Sequence, residues 1–360
     1  MTERRFLILL VGLLAAPGAQ AYSTYNRLGY VSCNACHFVP TGGGMLTPYG
    51  ESVQAAMSAF SQDTSPNERR LYGGVQARAL EINSTNQANP FLMQADVMGT
   101  AFVTKSMHLD AALGANLKQG ASDFVTVPSG WDGLVLRRAI LTADVSDSGS
   151  VEVGRDAAVG GLNIDDHTSF LRMRNRRGVY DYPTQLRYIY QSEKVQLIPY
   201  LSAPSFEETP GAQEYGGGVR GEYLLNLSNS VGLTGLFGNS TDISRAAVGG
   251  FFRLSHDHWN GIQGEAVATL LNQHQMGTSF GQQDIYIRPY IAIPEWIETS
   301  FVYEYLHVSD PFYESGMQYG PEINIRLHKY ISVIGDGRNL VEAGNSDWSW
   351  YGQIFLHVQI

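Results

Sequence analysis

The stretch DIYIRPYIAI, residues 284–293, sorts its side chains by parity: Ile285, Ile287, Ile291 and Ile293 on one, Asp284, Tyr286, Arg288 and Tyr290 on the other. Only a strand turns a period of two into one apolar and one polar face. The same pattern closes the chain. Trp348, Trp350, Ile354, Leu356, Val358 and Ile360 alternate with Asp347, Ser349, Gln353, His357 and Gln359, and in PEINIRLH Ile323, Ile325 and Leu327 oppose Glu322, Asn324, Arg326 and His328.

Alternation alone does not say which face is inward. A soluble two-sheet sandwich buries the apolar parity, whereas a membrane barrel turns it to lipid and lines its lumen with the polar one. Three features favour the barrel: strands near the 9 to 11 residues that cross a bilayer, aromatics near strand ends, and a chain that finishes on a strand with no helical segment between neighbours. Alternating stretches near Val75, Leu92, His108, Val135, Val151, Leu186, Val195, Val219, Val231, Val248, Ile262, Ile285, Ile297, Ile323, Ile331 and Ile354 number 16. The expected fold class is therefore all-β, a transmembrane antiparallel barrel of about 16 strands, with 14 to 18 admissible. Short turns such as Asp257 to Gly261 suit the periplasmic rim; longer pieces such as Ser122–Gly133, Ser205–Glu214, Ser309–Gly316 and Leu340–Asp347 suit external loops. Ile360 in the last position departs from the aromatic that usually ends such chains.

The first residues carry an export pattern. Arg4 and Arg5 precede an apolar core, Phe6 to Ala16, and Ala19-Gln20-Ala21 forms a small-x-small cleavage site. The core is too short for a membrane anchor. No later window holds 18 consecutive apolar residues, so no spanning helix is expected. Removing residues 1–21 leaves 22 basic against 33 acidic residues, a net charge of −11, which argues against a nucleic-acid partner. The reading divides the chain into a signal peptide (1–21), an N-terminal unit (22–60), a polar linker (61–70) containing Pro66, and the barrel (71–360).

Both cysteines of the chain stand in CNACH, residues 33–37. Thiols at i and i+3 followed directly by histidine have the spacing of c-type haem attachment: Cys33 and Cys36 for the thioethers, His37 for the iron. A local disulfide, a thiol-redox pair and a zinc site are the competing readings; the redox pair lacks its usual βαβ setting, and zinc needs a further ligand nearby. The second axial ligand stays open among Met45, eight residues after His37, Met57, a barrel histidine such as His108, His328 or His357, and none. About 35 mature residues are too few to bury a haem alone, so the N-terminal unit is expected to plug the lumen, with the barrel wall completing its pocket.

The run GYVSCNACHFVPTGGGMLTPYGESVQ, residues 29–54, resembles the N-terminus of the outer-membrane fused monohaem cytochrome–porin family, whose known members include iron oxidases. In that family a CxxCH unit is followed by proline, a Leu-Thr-x-Phe-Gly-Arg stretch, and one porin-like barrel. Here Glu51 stands in place of the arginine, and Gly42 to Gly44 looks inserted. The resemblance implies residence in outer-membrane lipid, one covalent haem c, and transfer of electrons from extracellular Fe(II), or another redox partner, to a periplasmic c-type cytochrome. An Fe(II)-oxidising activity would follow from it.

Two functions remain in view from residues alone. One is an electron conduit through the haem; the other is a porin for small anionic solutes with a structural or gating haem plug. Arg172, Arg174, Arg176 and Arg177 support the second if they line the lumen, and the first if they grip haem propionates. A soluble periplasmic cytochrome with a β-sandwich partner is the third architecture. Glu207 and Glu208 are solvated loop charges or a weak cation lure.

Overall fold

The structure is a computed structural model that describes residues 36, 46–56, 71–84, 87–115, 134–162, 169–171, 182–204, 213–226, 228–256, 259–292, 294, 296–309, 315–328, 331–342 and 349–359. Among the described residues a helix, α1 (Pro48–Ala56), precedes sixteen strands: β1 (Leu71–Ser84), β2 (Gln87–Thr104), β3 (Met107–Ala115), β4 (Leu134–Ser146), β5 (Gly149–Arg155), β6 (Thr184–Gln191), β7 (Val195–Ala203), β8 (Tyr215–Asn226), β9 (Asn229–Asn239), β10 (Ile243–Ser255), β11 (Asn260–Gln273), β12 (Thr278–Ala292), β13 (Ile297–Val308), β14 (Gly316–His328), β15 (Ile331–Glu342) and β16 (Ser349–Gln359). Each strand pairs antiparallel with its sequence neighbours, and β16 closes on β1 with Gln76 opposite Gln359 and Asn83 opposite Gly352. Closure excludes the two-sheet sandwich. It also leaves no edge whose backbone groups would be unpaired in lipid.

The polarity of the wall is inverted. On β12, Tyr286, Arg288 and Tyr290 are buried and Ile285 and Ile291 exposed, so the apolar parity of this strand faces outward. The rest of the exterior follows: Leu71, Val97, Leu109, Leu186, Leu201, Val219, Leu233, Phe237, Val248, Leu270 and Phe301 all lie exposed. Such a belt is stable against hydrocarbon and costly against water. Among the described residues no helix is long and apolar enough to cross a membrane; the crossing is made by strands.

Connections differ at the two ends. The seven links from even- to odd-numbered strands contain two to four residues each, whereas the opposite end carries links as long as residues 116–133, 156–183 and 204–214. Short periplasmic turns and long external loops are the pattern of outer-membrane barrels, so β1 starts at the periplasmic rim. All four long pieces and the short turn read from sequence fall at the ends expected of them.

Candidate functional site

The lumen is lined by charge held in pairs. Eight arginines and ten carboxylates are buried among the described residues, so this wall by itself is close to balanced rather than single-signed. Arg137 Nε donates to Asp96 at 2.7 Å; Arg253 Nη1 and Arg220 Nη2 reach the two oxygens of Glu222 at 2.8 and 2.5 Å. On the far side Arg288 joins Glu298, at 2.9 Å, to Glu322, and Arg338 bonds Asp336. Each pair links inward positions one or two residues or strands apart, which is what strand alternation brings into reach.

The β5–β6 connection turns into this lumen. β5 and β6 are the shortest strands, seven and eight residues, so the chain leaves the wall early. Its neck is closed by Asp156 N–H donating to Pro183 O at 3.3 Å. From there it runs along the inner wall. Arg187 donates to Glu152, Asp156 and the Ala157 carbonyl at 3.1, 2.9 and 2.7 Å, and Arg138 holds the other Asp156 oxygen at 2.8 Å. Burial favours the protonated form of Asp156, but the two guanidiniums outweigh burial and hold its carboxyl below the usual carboxylate range. Further on, Arg220 donates to Gly161 O at 3.2 Å, Leu162 N–H to Glu265 Oε2 at 2.6 Å, and Phe170 N–H to Glu304 Oε2 at 2.6 Å. A Cβ on Gly161 would lie 2.6 Å from Glu265 Oε1, so the connection presses on the wall at a glycine.

Apolar contacts follow the same track. Leu162 and Leu171 pack with Phe251, Val267, Tyr286 and Val302; Phe170 lies against Leu271, Phe280, Leu306 and Val308; Val159 meets Ile189 and Ile198. These wall residues are apolar on the inward parity, breaking the polar rule where the segment lands. That break was the readable signal for anchors such as Glu265 and Glu304, which sequence reasoning did not single out.

The N-terminal unit is described at Cys36 and from Leu46 to Ala56. Thr47 caps α1 by accepting from Gly50 N–H at 3.0 Å, Pro48 takes the first helical position, and Glu51 stands in the first turn, where the helix dipole favours an acid. Thr47 N–H donates to the Cys36 carbonyl at 2.8 Å, and a Cβ on Gly50 would fall 2.2 Å from that same oxygen. The helix start is thus folded onto a buried Cys36. Cys33, His37, Met45 and Met57 lie outside the described residues, as do Arg172, Arg174, Arg176, Arg177, Glu207 and Glu208. His108 is buried on the inward parity of β3, and His328 ends β14.

No family model matches the chain, and no curated protein matches it in sequence. Solved structures do. It is similar to a loop-deletion mutant of OmpT, an outer membrane protein of Vibrio cholerae (TM-score 0.64, 12% identity, 81% of this chain and 99% of that one). It is also similar to Pseudomonas putida OprB (TM-score 0.59, 9% identity, 81% and 94%) and to an anion-selective porin from Comamonas acidovorans (TM-score 0.57, 12% identity, 81% and 98%). At these identities the likeness is one of fold. Together with the lipid-facing belt and the two unequal rims, it makes this chain an outer-membrane β-barrel of porin architecture.

Proposed function

We propose that the chain forms a pore for small solutes across the outer membrane, narrowed from within by the β5–β6 connection. The observation that carries this reading is the tether of that segment, through Leu162 and Phe170, to Glu265 and Glu304 inside a closed, polar-lined barrel. Because the described wall is nearly charge-balanced, selectivity falls to the connection itself, whose sequence carries Arg172, Arg174, Arg176 and Arg177. Small anions are the favoured cargo, as in the Comamonas porin. In planar bilayers the protein is expected to give discrete steps with a reversal potential on the anion side, shifted toward zero when the four arginines become glutamine. A barrel that inserts but passes no current rejects the pore.

CNACH favours a second reading, an electron conduit. Its described part fits a tethered porphyrin: the Cys36 backbone is pinned by Thr47 and crossed by Gly50, which fastens the attachment run to α1. Cys33 and Cys36 would hold haem c, and His37 with Met45 or Met57 would hold its iron. When bound, the haem supplies one-electron transfer. The donor would be extracellular Fe(II) and the acceptor a periplasmic c-type cytochrome. A covalent haem stain on denaturing gels, lost when Cys33 and Cys36 are both replaced by alanine, tests the attachment; stopped-flow reduction by Fe(II) at neutral pH tests the donor. A protein that carries haem, conducts little and is reduced by Fe(II) is a conduit.

A further inference from the structure

The inner wall changes character on the external half of β8, β9 and β10. Where most of the inward parity carries polar or charged side chains, these strands place Gly216, Gly218, Gly238, Leu236 and Ala247. Register brings them together: Gly216 is opposite Gly238, and Leu236 is opposite both Gly218 and Ala247. A Cβ on Gly218 would stand 2.8 Å from the Tyr200 hydroxyl, and one on Gly238 would collide with the Glu214 carboxylate, so two neighbouring side chains lie across bare backbone. The β5–β6 connection crosses this stretch without filling it. It is pinned on one side of the crossing, at Asp156 by Arg138 and Arg187, and on the other, at Gly161 and Leu162 by Arg220 and Glu265. The residues between are small: Ala157, Ala158, Val159 and Gly160.

Two cavities remain behind the connection. Ala158 and Val159 on one side, with Ser202, Glu214, Leu236 and Arg245 on the other, line a cavity of about 50 Å³. A second, of about 10 Å³, adjoins it: Val159, Tyr200 and Leu236 line both, and Gly160, Ala247 and Val267 the second alone. Beyond it the crevice is stopped where Leu162, Phe251 and Val267 pack together. The chambers differ in polarity. At the outer one Arg245 Nε lies 3.3 Å from Glu214 Oε1, so the two charges offset each other, and the Ser202 hydroxyl both donates and accepts. The inner one is mainly apolar, with Val159, Leu236, Ala247 and Val267. At roughly 10–15 Å³ for each water-sized group, the outer chamber takes about three to five such groups and the inner one about a single methyl. A charged guest would give up its water to meet a like charge beside an unlike one; an uncharged polar head avoids that cost.

We propose that this crevice binds a small uncharged amphiphile, a short-chain amide or alcohol of about five non-hydrogen atoms. Its polar head lies at Ser202 and the Glu214–Arg245 pair, and its methyl end points to Val159, Leu236 and Ala247. The site is set between the connection and the wall, so it goes beyond the pore reading and does not depend on conduction.

The test uses the full-length protein purified in detergent and ligand-observed saturation-transfer NMR, with propionamide as the probe and protein-free micelles as the blank. Wild type is expected to give a saturable signal, with propionate and propylammonium bound about 10-fold more weakly or worse. Val159→Phe and Leu236→Phe, which fill the crevice from its two sides, abolish the signal. Ser202→Ala weakens binding about 5-fold, the loss of one hydrogen bond, and Leu201→Phe, on the lipid face, leaves it unchanged. Heat-modifiable migration on denaturing gels checks that each variant keeps its barrel. A signal that survives in both folded filling variants overturns the assignment. Absence of a saturable signal from wild type overturns the site, and equal binding of either ion overturns the uncharged class; both are read without any variant. Bilayer current bears on the pore alone, so failure of the pore and failure of this site are told apart.

Discussion

Gly50 sits where any side chain would strike the Cys36 carbonyl, and Thr47 both caps the helix and donates to that same carbonyl. Two residues therefore couple α1 to the CNACH run. Thr47→Ala removes a cap worth about 1 kcal/mol, and Gly50→Ala forces a shift costing roughly 1–3 kcal/mol. Native-state hydrogen exchange at the Glu51 and Val53 amides should speed up about 5-fold in the first variant and more in the second; unchanged protection would mean that α1 is held by other contacts. The run LTPYG was legible beforehand as part of a family-like motif. Its physical content, a cap followed by a close approach, was not, because nothing local says which backbone a glycine will touch.

At the scale of elements, the β5–β6 connection is held at its start by Asp156 between Arg138 and Arg187. Removing Arg187 as Arg187→Met leaves the carboxylates of Glu152 and Asp156 buried with one cation fewer, a loss of about 3–5 kcal/mol in such settings. Single-channel conductance is expected to rise and become noisier as the segment detaches. Unaltered, quiet steps would show that Glu265 and Glu304 suffice to hold it. The same latch responds to acid. The folded-state pKa of Asp156 lies below its unfolded value of about 3.9, so its contribution is complete above that value and fades as pH falls through the lowered one. Channel noise should therefore be flat from neutral pH down to about 4 and climb below it; a rise already near pH 6 would assign the gating to another group. Sequence reading expected a lumen lined by Arg172 to Arg177 but did not recognise the connection as the element that enters the lumen. Its anchors, Glu265 and Glu304, lie about 100 residues or more away in the chain.

The whole molecule depends on its inverted polarity. Leu233, 68% exposed on β9, faces the surroundings, and Leu233→Arg should cost about 2–4 kcal/mol of folding free energy in bilayers if that strand position lies near the midplane. Urea titration of refolding into lipid vesicles measures it. A cost near zero would place the residue at an interface or against a partner. Sixteen strands, a position within each and the sorting of long and short connections were all readable, because strand alternation and turn composition are local properties. The parity of β12 was readable too. On β13 it was less so: Val302, Leu306 and Val308 are inward and apolar, and only the segment packed against that part of the wall explains them.

What the sequence by itself determined is the barrel: a period of two repeated sixteen times, with arginine and glutamate on the parity opposite isoleucine and leucine, has one stable solution in lipid. It determined as well that both thiols of the chain stand beside one histidine. Only the tertiary structure decided how the lumen is furnished: which connection folds inward and which carboxylates hold it. Those arrangements join residues distant in the chain, and their energies arise from closure of the sheet rather than from any window of neighbours.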